Sequence, residues 1–174
     1  MNSGIQGALN AIRRYRPVEW EQIPDLGLYM DQVVTFITRM YEPLYGEDIH
    51  GYLSPSMINN YVKSKLIPRP KGKKYSREQI ALLTMIVALK QTSSMEDIRR
   101  MLTLGESETV EALYAAFSHR FCDAIQSMGG TPPSDGLSAP ATALDFAILA
   151  CAYSAGCAAA LKGAAEGAEV QEAK

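Results

Sequence analysis

The chain has 174 residues, 47% of them hydrophobic and 21% charged, and a formal net charge of −2. This composition is that of an ordinary globular protein, and it excludes a disordered chain and a generally polycationic binder of nucleic acid. The three cysteines, Cys122, Cys151 and Cys157, form no CxxC pair and have no histidine nearby, which argues against a zinc site and a disulfide framework.

The opening residues, MNSGIQGALNAIRRYR, lack the basic-then-apolar order of a secretory leader, so a reducing cytoplasmic location is expected. A short helix is predicted through Leu9–Tyr15, followed by a proline-bounded loop that Trp20 and Ile23 dock onto a core. From Leu28 to Tyr41 the apolar residues Met30, Val33, Val34, Ile37 and Met40 recur at helical spacing, predicting an amphipathic helix that ends before Pro43. After the loop YGEDIHGY, Ser54 and Pro55 supply an N-cap and a first-turn proline for a helix running to about Lys65.

Two prolines and a glycine in Ile67–Tyr75 end that helix and predict a tight basic hairpin. Ser76 and Gln79 have capping-box spacing and open a helix to Lys90 that is apolar almost all round, hence central to the core. Ser93 or Ser94 caps a short helix bearing Met95, Ile98, Met101 and Leu102 on one face, stopped by Gly105. Ser107 is expected to cap a longer one to Met128, with His119 on its surface; residues 129–136 read as a linker.

Residues 143–161 carry one charge, Asp145, and have the length of a membrane span. Their alanine content and lack of flanking aromatic anchors favour a buried or subunit-pairing helix over 141–163 instead. The fold class expected is therefore all-α apart from a short hairpin. It divides into an N-terminal extension (1–28), a central domain (29–105), C-terminal helices suited to dimerisation (106–163) and a disordered tail (164–174).

The modest net charge hides a strong asymmetry. Residues 49–77 contain Lys63, Lys65, Arg69, Lys71, Lys73, Lys74 and Arg77 and no carboxylate, while the remaining chain carries ten basic residues against all nineteen acidic ones. A basic segment within an acidic body is the electrostatic footprint of a polyanion site.

On a helical wheel, Met57, Ile58, Tyr61 and Val62 fall on one side of the helix that precedes it, and Ser56, Asn59, Asn60, Lys63 and Ser64 on the other. Asparagine can pair donor and acceptor with adenine, serine can donate or accept, and lysine reaches phosphate or guanine. Two adjacent mid-helix asparagines cost helix propensity, which argues that they have work beyond covering a surface. The interface expected for double-stranded DNA is thus Ser56, Asn59, Asn60 and Lys63 on the helix, with Arg69, Lys71, Lys73 and Lys74 tracking the phosphate backbone. Tyr75 reads either as a further phosphate contact or as a hydrophobic staple before the next helix.

The run Ser54–Pro68, then Tyr75-Ser76-x-Glu78-Gln79-Ile80, then Ser94-x-Glu96-Asp97-Ile98-Arg99, resembles the N-terminal domain of MerR-type bacterial regulators. The segments PSMINNYVK and KGKKYSREQIA also look like an uncharacterised bacterial family regarded as MerR-like. The resemblance implies a winged helix-turn-helix with 55–65 as recognition helix, a basic wing, and a homodimer of unassigned effector. Asn59-Asn60 stand where MerR proteins have an Arg-Tyr pair, so the resemblance carries a docking mode and no operator sequence.

His50 and His119 lie far apart, and neither a nucleophile triad, a phosphate-binding glycine loop nor a ligand cluster is present. No catalytic residue, cofactor or metal is therefore expected. A non-enzymatic adaptor using the same fold on an acidic protein partner is the alternative to a transcription regulator.

Overall fold

The computed structural model describes residue 10 and residues 12–104, 108–127, 149, 150 and 153. Among the described residues five α-helices form the frame: α1 (Met30–Tyr45), α2 (Pro55–Lys63), α3 (Arg77–Leu89), α4 (Met95–Met101) and α5 (Val110–Ser127). Short 3-10 helices span Trp20–Gln22 and Gly46–Gly51. No strand occurs among the described residues; two antiparallel bridges, Leu28 with Tyr75 and Lys71 with Lys74, are the only extended pairing there.

The all-helical expectation holds, and α3 is the centre of the fold. Ten successive residues, Gln79 to Ala88, are buried, as a helix with no polar face requires. Ser76 caps its start, accepting from the Gln79 N–H at 3.4 Å, while the Gln79 side chain accepts from the Ser76 N–H at 2.8 Å. α5 packs along α3, and α1 packs on both α2 and α3. The Tyr41 hydroxyl on α1 donates to the Thr84 carbonyl at 3.0 Å, satisfying its polar end inside the core.

Three boundaries differ from those the sequence predicts. α1 continues through Pro43 to Tyr45 and stops at Gly46, whose φ is 57°. Proline there sits in the last turn with its ring exposed, where one lost helical bond is tolerated more readily than mid-helix. Next, α5 is capped by Thr109, whose Oγ1 accepts from the Ala112 N–H at 3.1 Å. The expected stop at Gly105 and cap at Ser107 lie outside the described residues.

Finally, residues 15–28 are no appendage to a domain starting at residue 29. Tyr15 and Ile23 are buried in the common core, and Leu28 exchanges two main-chain hydrogen bonds with Tyr75 at 2.8 and 3.0 Å. The expected docking of Trp20 and Ile23 is thereby met, since Trp20 packs on Tyr114 of α5 at a ring separation of 6.1 Å.

The linker at 129–136 and the tail at 164–174 lie outside the described residues, as does most of the helix expected over 141–163. Of that helix Leu149, Ala150 and Tyr153 are described, and all three are helical and exposed. No helix among the described residues is long and apolar enough to cross a membrane.

Candidate nucleic-acid interface

α2 owes its shape to its two ends. At its start the Ser54 hydroxyl accepts from the Met57 N–H at 3.3 Å and Pro55 occupies the first helical position, where its missing N–H costs nothing. At its end Leu66 N–H donates to Tyr61 C=O at 2.9 Å and Lys65 N–H to Val62 C=O at 3.1 Å, the two bonds of a Schellman motif. Arg99 from α4 reaches the Ser64 carbonyl at 2.7 Å, placing a cation at the negative end of the helix dipole.

Between these ends the wheel divides as expected. Ile58 and Tyr61 are buried and Met57 and Val62 half-buried, whereas Ser56, Asn59, Asn60, Lys63 and Ser64 are all exposed. A second tie fixes the buried side: the Lys90 ammonium, its pKa lowered by desolvation, lies 3.5 Å from the Met57 sulfur.

The basic hairpin is tighter than a strand pair. Lys74 N–H donates to Lys71 C=O at 3.0 Å, and both central residues, Gly72 and Lys73, have positive φ (56° and 64°), the signature of a type I′ turn. Lys71, Lys73 and Lys74 are exposed at this tip, as is Arg69 on the ascending leg. The two legs are joined at their base by buried Gln79, whose amide donates to the Pro68 carbonyl at 2.8 Å while its oxygen holds Ser76. One side chain thus caps α3 and sets the separation of the hairpin legs.

Tyr75 resolves to the second of its two readings. It is 2% exposed, its main chain is committed to Leu28, and its hydroxyl points at the Met30 sulfur 3.7 Å away. Burial raises its phenol pKa. A ring so enclosed cannot reach a phosphate, and Tyr75 is a core residue.

Arg77 also leaves the basic surface. Its Nε donates to the Ile23 carbonyl at 2.9 Å, it pairs with Asp25 at 3.4 Å, and its guanidinium lies 5.7 Å from the centre of the Trp20 ring.

The remaining cations, Lys63, Lys65, Arg69, Lys71, Lys73 and Lys74, are exposed, and no ion pair among the described residues engages any of them. Lys65 was not singled out by sequence reasoning, yet it shares one cavity wall with Lys63 and Arg69. It also holds a left-handed φ of 58°. The two non-glycine residues with positive φ among those described are Lys65 and Lys73, both within the basic segment. Glycine would fill either position at lower conformational cost.

Away from this surface, His119 pairs with Asp123 on the exposed face of α5 at 3.2 Å, and no metal-holding group of His, Cys, Asp or Glu occurs among the described residues.

The family model for a domain of unknown function, DUF1836, matches residues 18–117. The chain belongs to that family. No curated protein and no solved structure matches it. The DUF1836 match takes in the docked N-terminal loop, α1 to α4, and α5 as far as Phe117, so the loop and the first half of α5 are parts of the family's domain.

Proposed function

We propose that this DUF1836 protein is a sequence-specific DNA-binding transcription regulator of MerR-like type. In this reading α1 and α2 serve as the helix-turn-helix, α2 enters the major groove, and the 68–75 hairpin acts as the wing. The observation that carries it is the solvent face of α2: two amides, two hydroxyls and a lysine, with no carboxylate to repel phosphate. That face runs directly into five further exposed cations, two of them held in left-handed backbone that a lysine adopts only at a cost.

The division of labour follows from chemistry. Asn59 and Asn60 read base edges, Ser56 meets phosphate beside the first-turn N–H groups of α2, and Lys63, Lys65, Arg69, Lys71, Lys73 and Lys74 neutralise backbone charge. Buried Ile58 and Tyr61, the Gln79 clamp and the Arg99 cap hold these groups rigid. The same proposal includes a cytoplasmic location and a homodimer reading two half-sites, paired through the C-terminal segment 106–163.

Selection of bound sequences from a random DNA pool by the full-length protein tests the proposal. A shared motif should be enriched, and Asn59→Ala should alter it. A pool that emerges unenriched, with no retention of duplex at low salt, would refute the reading.

A further inference from the structure

Where α2 ends, a solvent-open cavity of 840 Å³ lies between its last turn, the chain leading to Arg69, α3 and α4. Val62, Leu66, Leu82 and Leu102 line it and are half-buried or buried, so they form an apolar floor. Lys63, Lys65 and Arg69 line it as well and are exposed, so they stand at its mouth. Arg99 adds a fourth cation, partly occupied by the Ser64 carbonyl and by Glu96 at 3.7 Å. No carboxylate is among the described residues that line it.

A DNA backbone would satisfy the cations and leave the floor unmet, because phosphates and sugars offer no apolar body to fill it. A neutral apolar molecule would fill the floor and leave the cations unmet. We infer that this cavity binds a small amphipathic carboxylate, its apolar body on Leu66, Leu82 and Leu102 and its carboxylate among Lys63, Lys65 and Arg69. The size falls within the range of roughly 300–1,000 Å³ usual for small-molecule sites. At Lys65 the rim cation stands in left-handed backbone, where glycine is the cheaper residue.

The site has a regulatory consequence, which rests on the DNA-binding reading. Lys63 and Lys65 close the helix assigned to the major groove, so a carboxylate held there neutralises charge that would otherwise meet phosphate. Occupancy should therefore weaken DNA binding.

Calorimetry with decanoate, in the absence of DNA, tests the site separately from that reading. Saturable one-to-one binding is expected, at least tenfold tighter than decanol, with none for acetate. Lys65→Glu and Arg69→Glu, both exposed positions, should each weaken decanoate at least fivefold while leaving decanol binding unchanged, with circular dichroism confirming that each variant is folded. Leu102→Trp should block decanoate by filling the floor, with its circular dichroism spectrum checked for folding. No saturation at millimolar decanoate, or binding indifferent to both charge reversals, overturns the site. If decanoate binds yet leaves the DNA affinity of a DNA-binding protein unchanged, the regulatory coupling is overturned and the site stands.

Discussion

The Tyr114 hydroxyl donates to the Val18 carbonyl at 2.6 Å, joining residues 96 positions apart. The bond lies near the two ends of the DUF1836 match and ties the N-terminal loop to α5. Tyr114 is 1% exposed, so its ring has no alternative hydration. Tyr114→Phe removes the donor and leaves a carbonyl unmet, which should cost about 1–2 kcal/mol. Trp20, the chain's single tryptophan, packs on this ring and reports the loss directly in a denaturant titration followed by fluorescence. An unshifted midpoint would show that the loop is held by packing alone.

The same tyrosines make the fold sensitive to alkali. Burial is the main cause that pushes the Tyr114 phenol up to about 12, with the charge of Glu19 adding to it, and burial raises Tyr15 and Tyr41 as well. A phenol pKa raised on folding contributes stability that is complete below the unfolded value of about 10 and is lost as pH climbs through the folded one. Unfolding free energy should therefore be flat with respect to these groups up to pH 9 and fall between pH 10 and 12. Phenolate absorbance near 295 nm should rise together with loss of helix signal. Absorbance that rises in full while the helix signal persists would mean that these phenols ionise within the folded state.

Much of this architecture was legible in the sequence because local chemistry and tertiary structure agree. Ser54-Pro55, the Ser76–Gln79 box and the Ser94 cap each begin a helix where they stand. The two-sided wheel of α2 also survives intact, since nine residues with complete segregation leave one way to pack. What was not legible depended on distant partners. The local sequence leaves Tyr75 with two readings because its partner, Leu28, is 47 positions away, and nothing in it reveals that Arg77 is consumed by Ile23, Asp25 and Trp20. Pro43 predicts a stop by its residue type alone, whereas in the last turn of α1 it costs a single helical bond near an end that Gly46 then closes. The left-handed backbone of Lys65 is hidden in the basic segment because such a helix end is expected at glycine or asparagine.

Lys65 and Lys73 allow stability and binding to be pulled apart. A non-glycine residue in left-handed backbone costs about 1–2 kcal/mol, partly offset by the extra freedom glycine gives the unfolded chain. Lys65→Gly and Lys73→Gly should each leave stability unchanged or raise it by up to about 1 kcal/mol. Under the proposed function each should nonetheless weaken DNA binding and flatten the log K versus log salt slope by roughly one unit per lost phosphate contact. Melting curves and filter binding at several salt concentrations check both halves. A variant that becomes more stable and keeps the full salt slope would remove that lysine from the interface.

The exposed amides of α2 give the sharpest test, because neighbouring residues on one short helix are assigned different work. Asn59 and Asn60 are exposed, so alanine at either position should preserve the fold and favour the helix slightly. If either amide makes a bidentate contact with adenine, its loss should cost about 1–3 kcal/mol at one position of the preferred site and relax specificity there. Tyr61 is 8% exposed, and its carbonyl anchors the Schellman turn through Leu66. Tyr61→Ala should lower stability by about 3 kcal/mol, and should reduce DNA affinity in proportion to the unfolded fraction without changing which sequence is chosen. A melting curve and a binding-site selection on each variant separate the two behaviours. Should both asparagine variants retain the wild-type site and affinity, α2 does not face the bases, and its unusual polar face answers to something other than DNA.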